Sequence, residues 1–163
     1  MINWPVAQPT LSFALKDGSA AALRPLREDD IEAIYQACQD PTISAFTRVP
    51  YPYDYELAED FVRGCDISYR NHQGIVFAME HDGTFAGTIG LHGIHLSDHC
   101  AEVGYWVEKS HRGVGLCTEA VKTLLSFSFD IMGFRRIEGM ADYNNFASQR
   151  VMERADMVLY SKS

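Results

Sequence analysis

No stretch of this 163-residue chain approaches the ~18 consecutive apolar residues that a bilayer-spanning helix needs, so no membrane segment is expected. The first residues, Met1-Ile2-Asn3-Trp4-Pro5, carry neither a basic cluster nor a continuous apolar region, which argues against a secretory leader there. Basic residues are in deficit: 14 Lys and Arg against 22 Asp and Glu give a formal charge of −8. That balance speaks against general nucleic-acid binding and mildly favours cationic partners, although a solvated acidic surface explains it as well. Cysteine is sparse. Cys38, Cys65, Cys100 and Cys117 fall in four different expected elements with no CxxC pair, which fits free thiols of a reducing cytoplasm. Metal-ligand spacing is missing too. His92, His95 and His99 are close in sequence, but positions 92 and 95 of an extended strand point to opposite faces, so no metal is expected. Internal repeats, low-complexity segments and linkers are absent, and the length fits one domain, residues 1–163.

What the chain does have is a core's worth of apolar residues, 47% of the total, arranged in clear periods. Leu11–Leu15 and Ala21–Arg24 flank Asp17-Gly18 and read as an opening hairpin, ended by Pro25. Arg27–Cys38 reads as a helix, with Ile31, Ile34, Tyr35 and Cys38 at helical spacing. Pro41 to Tyr53 reads as a loop rich in proline and aromatics, and Tyr55–Arg70 as a second helix. Three strands follow as an antiparallel meander: Ile75–Glu80, Phe85–Ile94 and Ala101–Val107, turned at Asp82-Gly83 and Ser97-Asp98-His99. Leu116–Met132 is the main helix, with Leu116, Ala120, Leu124, Phe127 and Ile131 in one stripe, widened by Val121, Leu125, Phe129 and Met132. Gly133 is its natural stop. Arg136–Ala141 reads as a strand parallel to Ala101–Val107, Asn145–Arg154 as a fourth helix and Met157–Tyr160 as a last short strand. The order ββ-α-α-βββ-α-β-α-β predicts an α+β or mixed α/β sandwich on one sheet.

The most informative segment runs from Glu102 to Glu119. An apolar strand ends at Val107, a polar turn Glu108-Lys109-Ser110-His111 follows, and Arg112-Gly113-Val114-Gly115-Leu116-Cys117-Thr118-Glu119 opens the main helix. The first N–H groups of a helix have no intrahelical partner and carry the positive end of the dipole, so this junction can present a row of donors to a phosphate. Gly113 and Gly115 let the backbone come close to a ligand, and Arg112 adds a fixed positive charge. From spacing alone an ordinary tight strand-to-helix turn fits equally well. A P-loop is excluded, because no Gly-Lys-Ser/Thr follows the turn. The dinucleotide fingerprint fits poorly: Thr118 stands where its third glycine or alanine belongs, and Glu138, near the distance of its acidic residue, lies inside an expected strand.

With these residues in view the chain resembles the GNAT acetyltransferases, which transfer an acetyl group from acetyl-coenzyme A to an amine. Arg112, Gly115 and Cys117 stand at the fixed places of that family's Gln/Arg-x-x-Gly-x-Gly/Ala pyrophosphate motif, with cysteine replacing the last small residue. Three stretches resemble the Rim-like branch of ribosomal-protein N-terminal acetyltransferases: Ala101–Val107, Arg112–Ala120 and Asn144–Glu153. Arg24-Pro25 and Pro50-Tyr51-Pro52 fit as well, and the likeness covers roughly Leu11 to Met157.

The resemblance implies a GNAT-like mixed sheet in which Ala101–Val107 and the following parallel strand splay apart, flanked by about four helices, with the final strand short or missing. It implies that the backbone of Tyr105, Trp106 and Val107 holds the pantetheine arm in the gap. The amides from Arg112 through Gly113, Val114, Gly115, Leu116, Cys117 and Thr118 would hold the diphosphate. Glu102 would take the amine proton through a water, with His92 as the alternative base. Ser148 would protonate the thiolate, and Asn145 would hold the cofactor arm or the serine. Plain readings stand beside these: a surface strand glutamate, a polar strand histidine and a helix-capping asparagine. Met152 occupies the place of the tyrosine that often serves as acid in the wider family. The implied partner is an amine acceptor, a peptide N-terminus or a small molecule. Only nine residues follow Arg154, where the family continues with two strands, and Asp156-Met157 replaces the usual Gly-Phe. This suggests a truncated end and an open sheet edge, covered by a second subunit in a homodimer or by a neighbouring loop.

Overall fold

Alternating apolar residues build the sheet first. A computed structural model of the chain describes residues 1–161. Strands β1 (Leu11–Ala14) and β2 (Ala20–Pro25) form the opening hairpin. Helices α1 (Asp30–Ala37), α2 (Pro41–Phe46) and α3 (Tyr55–Arg70) follow. The meander is β3 (Ile75–His81), β4 (Thr84–His95) and β5 (Cys100–Val107). Helix α4 (Leu116–Ser126) leads through a π-helical turn, Phe127–Met132, to β6 (Arg136–Gly139) and α5 (Phe146–Arg154). The six strands lie in sequence order, antiparallel throughout except for the parallel pair β5–β6. This is the mixed sheet that the order of elements predicts, with one helix more than expected.

Each face of the sheet has its own core. Leu23, Phe77, Ile89, Leu91 and Val103 pack with Leu116, Val121 and Leu124 of α4 on one face. Ile31, Ile34, Ala58 and Val62 of α1 and α3 form the other core, with Phe85 and Trp106 packed against it. Fully burying one such aliphatic side chain stabilises the fold by about 1.5–3 kcal/mol. The first helix is pinned by charge as well as packing. Buried Arg24 holds Asp30 through two bonds of 2.7 and 2.8 Å and reaches Glu80 at 2.5 Å. Asp30 also accepts the Arg27 N–H at 2.9 Å. Removing either partner would strand a buried charge, at about 3–5 kcal/mol.

The structure departs from the sequence reading in the extent or kind of four elements. The segment Pro41–Tyr53 is not all loop. Asp40 caps α2 by accepting the Thr42 N–H at 2.9 Å, and Pro41 sits at the first helical position, where its missing N–H costs nothing. The main helix changes pitch. After Ser126 the wider π turn puts Phe127 and Met132, five apart, into the core, and it leaves Phe129 and Ile131 on the surface rather than in the expected stripe. Strand β6 stops at Gly139 instead of Ala141. Met157–Tyr160 forms no strand. Asp156 adopts the left-handed conformation (φ +65°) while the Met157 N–H closes back on the Met152 carbonyl at 2.9 Å, a helix-ending turn usually given to glycine. Tyr160 then donates to Glu138 at 3.0 Å, and its ring lies 4.9 Å from the Arg136 guanidinium.

Candidate active site

The site begins where β5 loses a neighbour. Cys100 to Val103 pair with Arg136 to Gly139 of β6 on one side and with β4 on the other. Gly104 to Val107 continue along β4 alone, opposite Gly90, Ile89, Thr88 and Gly87. Strand alternation decides which groups face the opening. The Glu108 N–H donates to Ala86 at 2.8 Å, so Trp106, two residues back, also turns its backbone toward β4. Tyr105 and Val107 therefore turn their N–H and C=O groups away from β4 toward the gap, where the Val107 carbonyl is already met by Arg112 Nε–H at 3.0 Å and the other three are open among the described residues. Such groups need a partner, which an amide-bearing ligand can supply.

The turn after β5 supplies the donors that the sequence predicts. Gly113 and Gly115 both have φ +81°, a conformation that glycine adopts at little cost, and a side chain built on either would meet no neighbour. The helical bonding of α4 starts with Glu119 N–H to Gly115 O at 3.1 Å. The N–H groups of Val114, Gly115, Leu116, Cys117 and Thr118 meet no acceptor among the described residues. Val114 is exposed, Leu116 anchors in the core, and Thr118 is buried. Cys117 is half-buried, and burial pushes its thiol up to about 12, so it stays protonated at neutral pH.

Arg112 behaves differently from the free cation that its motif position suggests. Its Nε–H donates to the Val107 carbonyl at 3.0 Å, and its outer nitrogens reach Thr42 at 3.2 Å and Asp40 at 3.3 Å. The Thr42 hydroxyl and N–H, with Arg112 beside them, hold the Asp40 carboxyl below its usual range. Arg112 thus ties the end of β5 to the cap of α2. Sequence reasoning missed Asp40 and Thr42; their Asp-Pro-Thr capping pattern was the available signal.

The side chains around the gap divide between the two faces of the sheet. On the α4 face, the Tyr105 hydroxyl lies 2.8 Å from the Ser148 hydroxyl. Burial pushes Tyr105 up to about 12, against the opposing pull of its Ser148 bond. Asn145 caps α5 by accepting the Ser148 N–H at 3.2 Å, which is its plain structural reading. Met152 packs against Gly139, where a side chain built on the glycine would stand 2.6 Å from its sulfur. The Tyr105 side chain was not singled out from the sequence, and an alternating strand offers no cue that a hydroxyl waits on the facing helix.

On the opposite face stand Glu102 and His92, directly across from each other on β5 and β4, with Nε2 of the ring 3.1 Å from Oε2 of the carboxylate. Both are partly exposed. Glu138, beside Glu102 on β6, is bound by Arg136 at 2.7 Å and by Tyr160. A bulge in β4 between His92 and His95 carries Gly93 at φ +54°. The extra residue puts His95 opposite Cys100, so positions 92 and 95 share a face, contrary to the unbulged expectation. Among the described residues no cluster of three or more His, Cys, Asp or Glu has a metal-holding arrangement. No described helix is long and apolar enough to cross a membrane.

Comparison with known proteins agrees with this geometry. A family model described as an acetyltransferase (GNAT) domain matches residues 21–158. The chain is 33% identical over 86 residues to the Putative ribosomal N-acetyltransferase YdaF of Bacillus subtilis; the match covers 53% of this chain and 47%, about half, of that relative. It is 24% identical over 124 residues to Spermidine N(1)-acetyltransferase of Escherichia coli, covering 76% of this chain and 64% of that one. Among solved structures, Mycobacterium smegmatis RimJ in complex with CoA-disulfide has a similar fold: TM-score 0.80 at 22% identity, over 89% of this chain and 73% of that one.

Proposed function

The chain belongs to the GNAT family of acetyl-CoA-dependent N-acetyltransferases, and on that premise we propose that it acetylates a protein N-terminal α-amine by direct attack in a ternary complex. One observation carries the reading: β5 opens to present Tyr105 and Val107 beside five unpaired amides at the start of α4. That arrangement fits both the amide-bearing arm and the diphosphate of acetyl-CoA. The co-substrate supplies the activated acetyl group.

The residues of the chain divide the remaining work. Backbone N–H groups at the gap orient and polarise the thioester carbonyl. The amine proton leaves on the face of Glu102 and His92. Ser148, backed by the Tyr105 hydroxyl, returns a proton to the thiolate on the other face. Burial keeps Tyr105 protonated at neutral pH, so it can restore the serine proton.

Proton cost supports the choice of acceptor. An α-amine has a pKa of about 8 and a lysine about 10.4, so deprotonating lysine at neutral pH costs roughly 3 kcal/mol more. A half-exposed carboxylate paired with an imidazole suits the easier proton. The likeness to a spermidine acetyltransferase favours a second reading, a small-molecule amine, and a non-catalytic acetyl-CoA-binding module is the reading from another class. Thiol release from acetyl-CoA separates the three, after correction for the four cysteines of the protein. Peptides with free α-amines should turn over faster than N-terminally blocked lysine peptides or spermidine. Faster turnover of spermidine would transfer the assignment to small amines. Calorimetric binding of acetyl-CoA without release under any acceptor would identify a binding module.

A further inference from the structure

We propose that His92, not a water relayed by Glu102, is the group that accepts the amine proton, and that Glu102 is its positioning residue. The inference rests on the acetyltransferase reading above and assigns an atom within it. Glu102 Oε2 lies 3.1 Å from His92 Nε2; a carboxylate at that distance favours the tautomer with its proton on Nε2, which leaves the Nδ1 lone pair free. The Cε1–Nδ1 edge of the ring lies beside the opening in the sheet. A side chain built on Gly104 would stand 3.1 Å from Cε1 and 3.5 Å from Nδ1, so this edge of the imidazole lies over Gly104. Gly104 is the first residue of β5 without a β6 partner, the apex of the opening.

Two glycines make room for the pair. Gly104 leaves space for the ring, and Gly93, at φ +54°, leaves space for the carboxylate, since a side chain built there would stand 3.1 Å from Oε2. The bulge that needs Gly93 follows His92 directly. Nearby charges leave the pair intact: Glu138 is engaged by Arg136 and Tyr160, and His95 stands farther along, opposite Cys100. As the amine nitrogen bonds to the acetyl carbon, its N–H proton passes to His92 Nδ1. The C–S bond breaks, and the sulfur takes the proton of Ser148. His92 then releases its proton to solvent, and Ser148 regains one through Tyr105, so the sum is an amide plus a thiol.

The test combines kinetics and nitrogen-15 NMR on the full chain. With an N-terminal-serine peptide as acceptor, His92→Gln should lower kcat/KM about 100-fold while changing the calorimetric Kd for acetyl-CoA less than twofold. His92→Ala should recover part of its rate in added imidazole. Glu102→Gln should cost less, about tenfold, and should shift the tautomer equilibrium of His92 toward Nδ1–H. In the native protein His92 should carry its proton on Nε2. An Nδ1–H tautomer, or a His92→Gln variant faster than Glu102→Gln, would overturn the proposal. The tautomer reading needs no acceptor, so it decides even if the peptide is not a substrate, and loss of acetyl-CoA binding would instead refute the underlying acetyltransferase reading.

Discussion

The two halves of β5 have the same neighbour on one side and opposite fates on the other. From Cys100 to Val103 the strand is closed in by β4 and β6, and Ala101 and Val103 are buried. From Gly104 to Val107 it keeps β4 only, and every residue is half-buried. The closed half serves stability; the open half exposes backbone groups of which the fold satisfies only the Val107 carbonyl, through Arg112. A ligand that binds as a strand can use such groups without rearranging the sheet.

Substitutions can sharpen that contrast. The largest stability effect belongs to the closed half: Leu91→Ala, opposite Val103 and fully buried, should cost about 2–5 kcal/mol in a denaturant titration. Acetyl-CoA binding by the folded fraction should survive. The largest functional effect without comparable unfolding belongs to the open half and its turn. Gly115→Val forces a branched side chain into a φ of +81°, and calorimetry should show acetyl-CoA affinity falling at least tenfold. Ser148→Ala should lower kcat about 10–100-fold in steady-state assays with the acetyl-CoA Kd nearly unchanged. Equal loss of binding would mean that the serine holds the cofactor instead. Arg112→Lys and Asp40→Asn should weaken acetyl-CoA binding only a few-fold, and by similar factors, since both break the link from β5 to α2.

The smallest expected effect is a pH dependence. The Tyr105 pKa is raised from its ordinary value of about 10 to about 12, so the folded state holds its proton more tightly than the unfolded chain. Its contribution is complete below pH 10 and is lost as pH rises from about 10 to about 12. Tyr105→Phe should therefore flatten part of the alkaline decline in melting temperature. Cys38, Cys65 and Cys117, also raised by burial to about 12, and Tyr53 and Tyr69, raised by burial as well, contribute to the rest of that decline.

Most of the fold was legible because its signals are periodic. The meander, α3 and the glycine turn before α4 follow directly from alternation, helical spacing and breakers. Three of the failures come from segments in which the regular period is too short or locally broken. Six residues of α2 are too few to show a stripe, and only Asp40 and Pro41 announce it. The π turn advances the phase after Ser126 and inverts Ile131 from core to surface. The bulge at Gly93 reverses His95. At the site, residue types were readable and their partners were not. Nothing in a linear pattern joins Arg112 to Asp40, 72 positions away, or Tyr105 to Ser148, 43 positions away.

The open half of β5 is most directly tested by residue-resolved amide exchange with and without coenzyme A. The account predicts new protection at the Tyr105 and Val107 N–H groups and from Val114 through Thr118, with Cys100–Val103 already protected and unchanged. Protection confined to other segments, or none at Tyr105 and Val107, would contradict it.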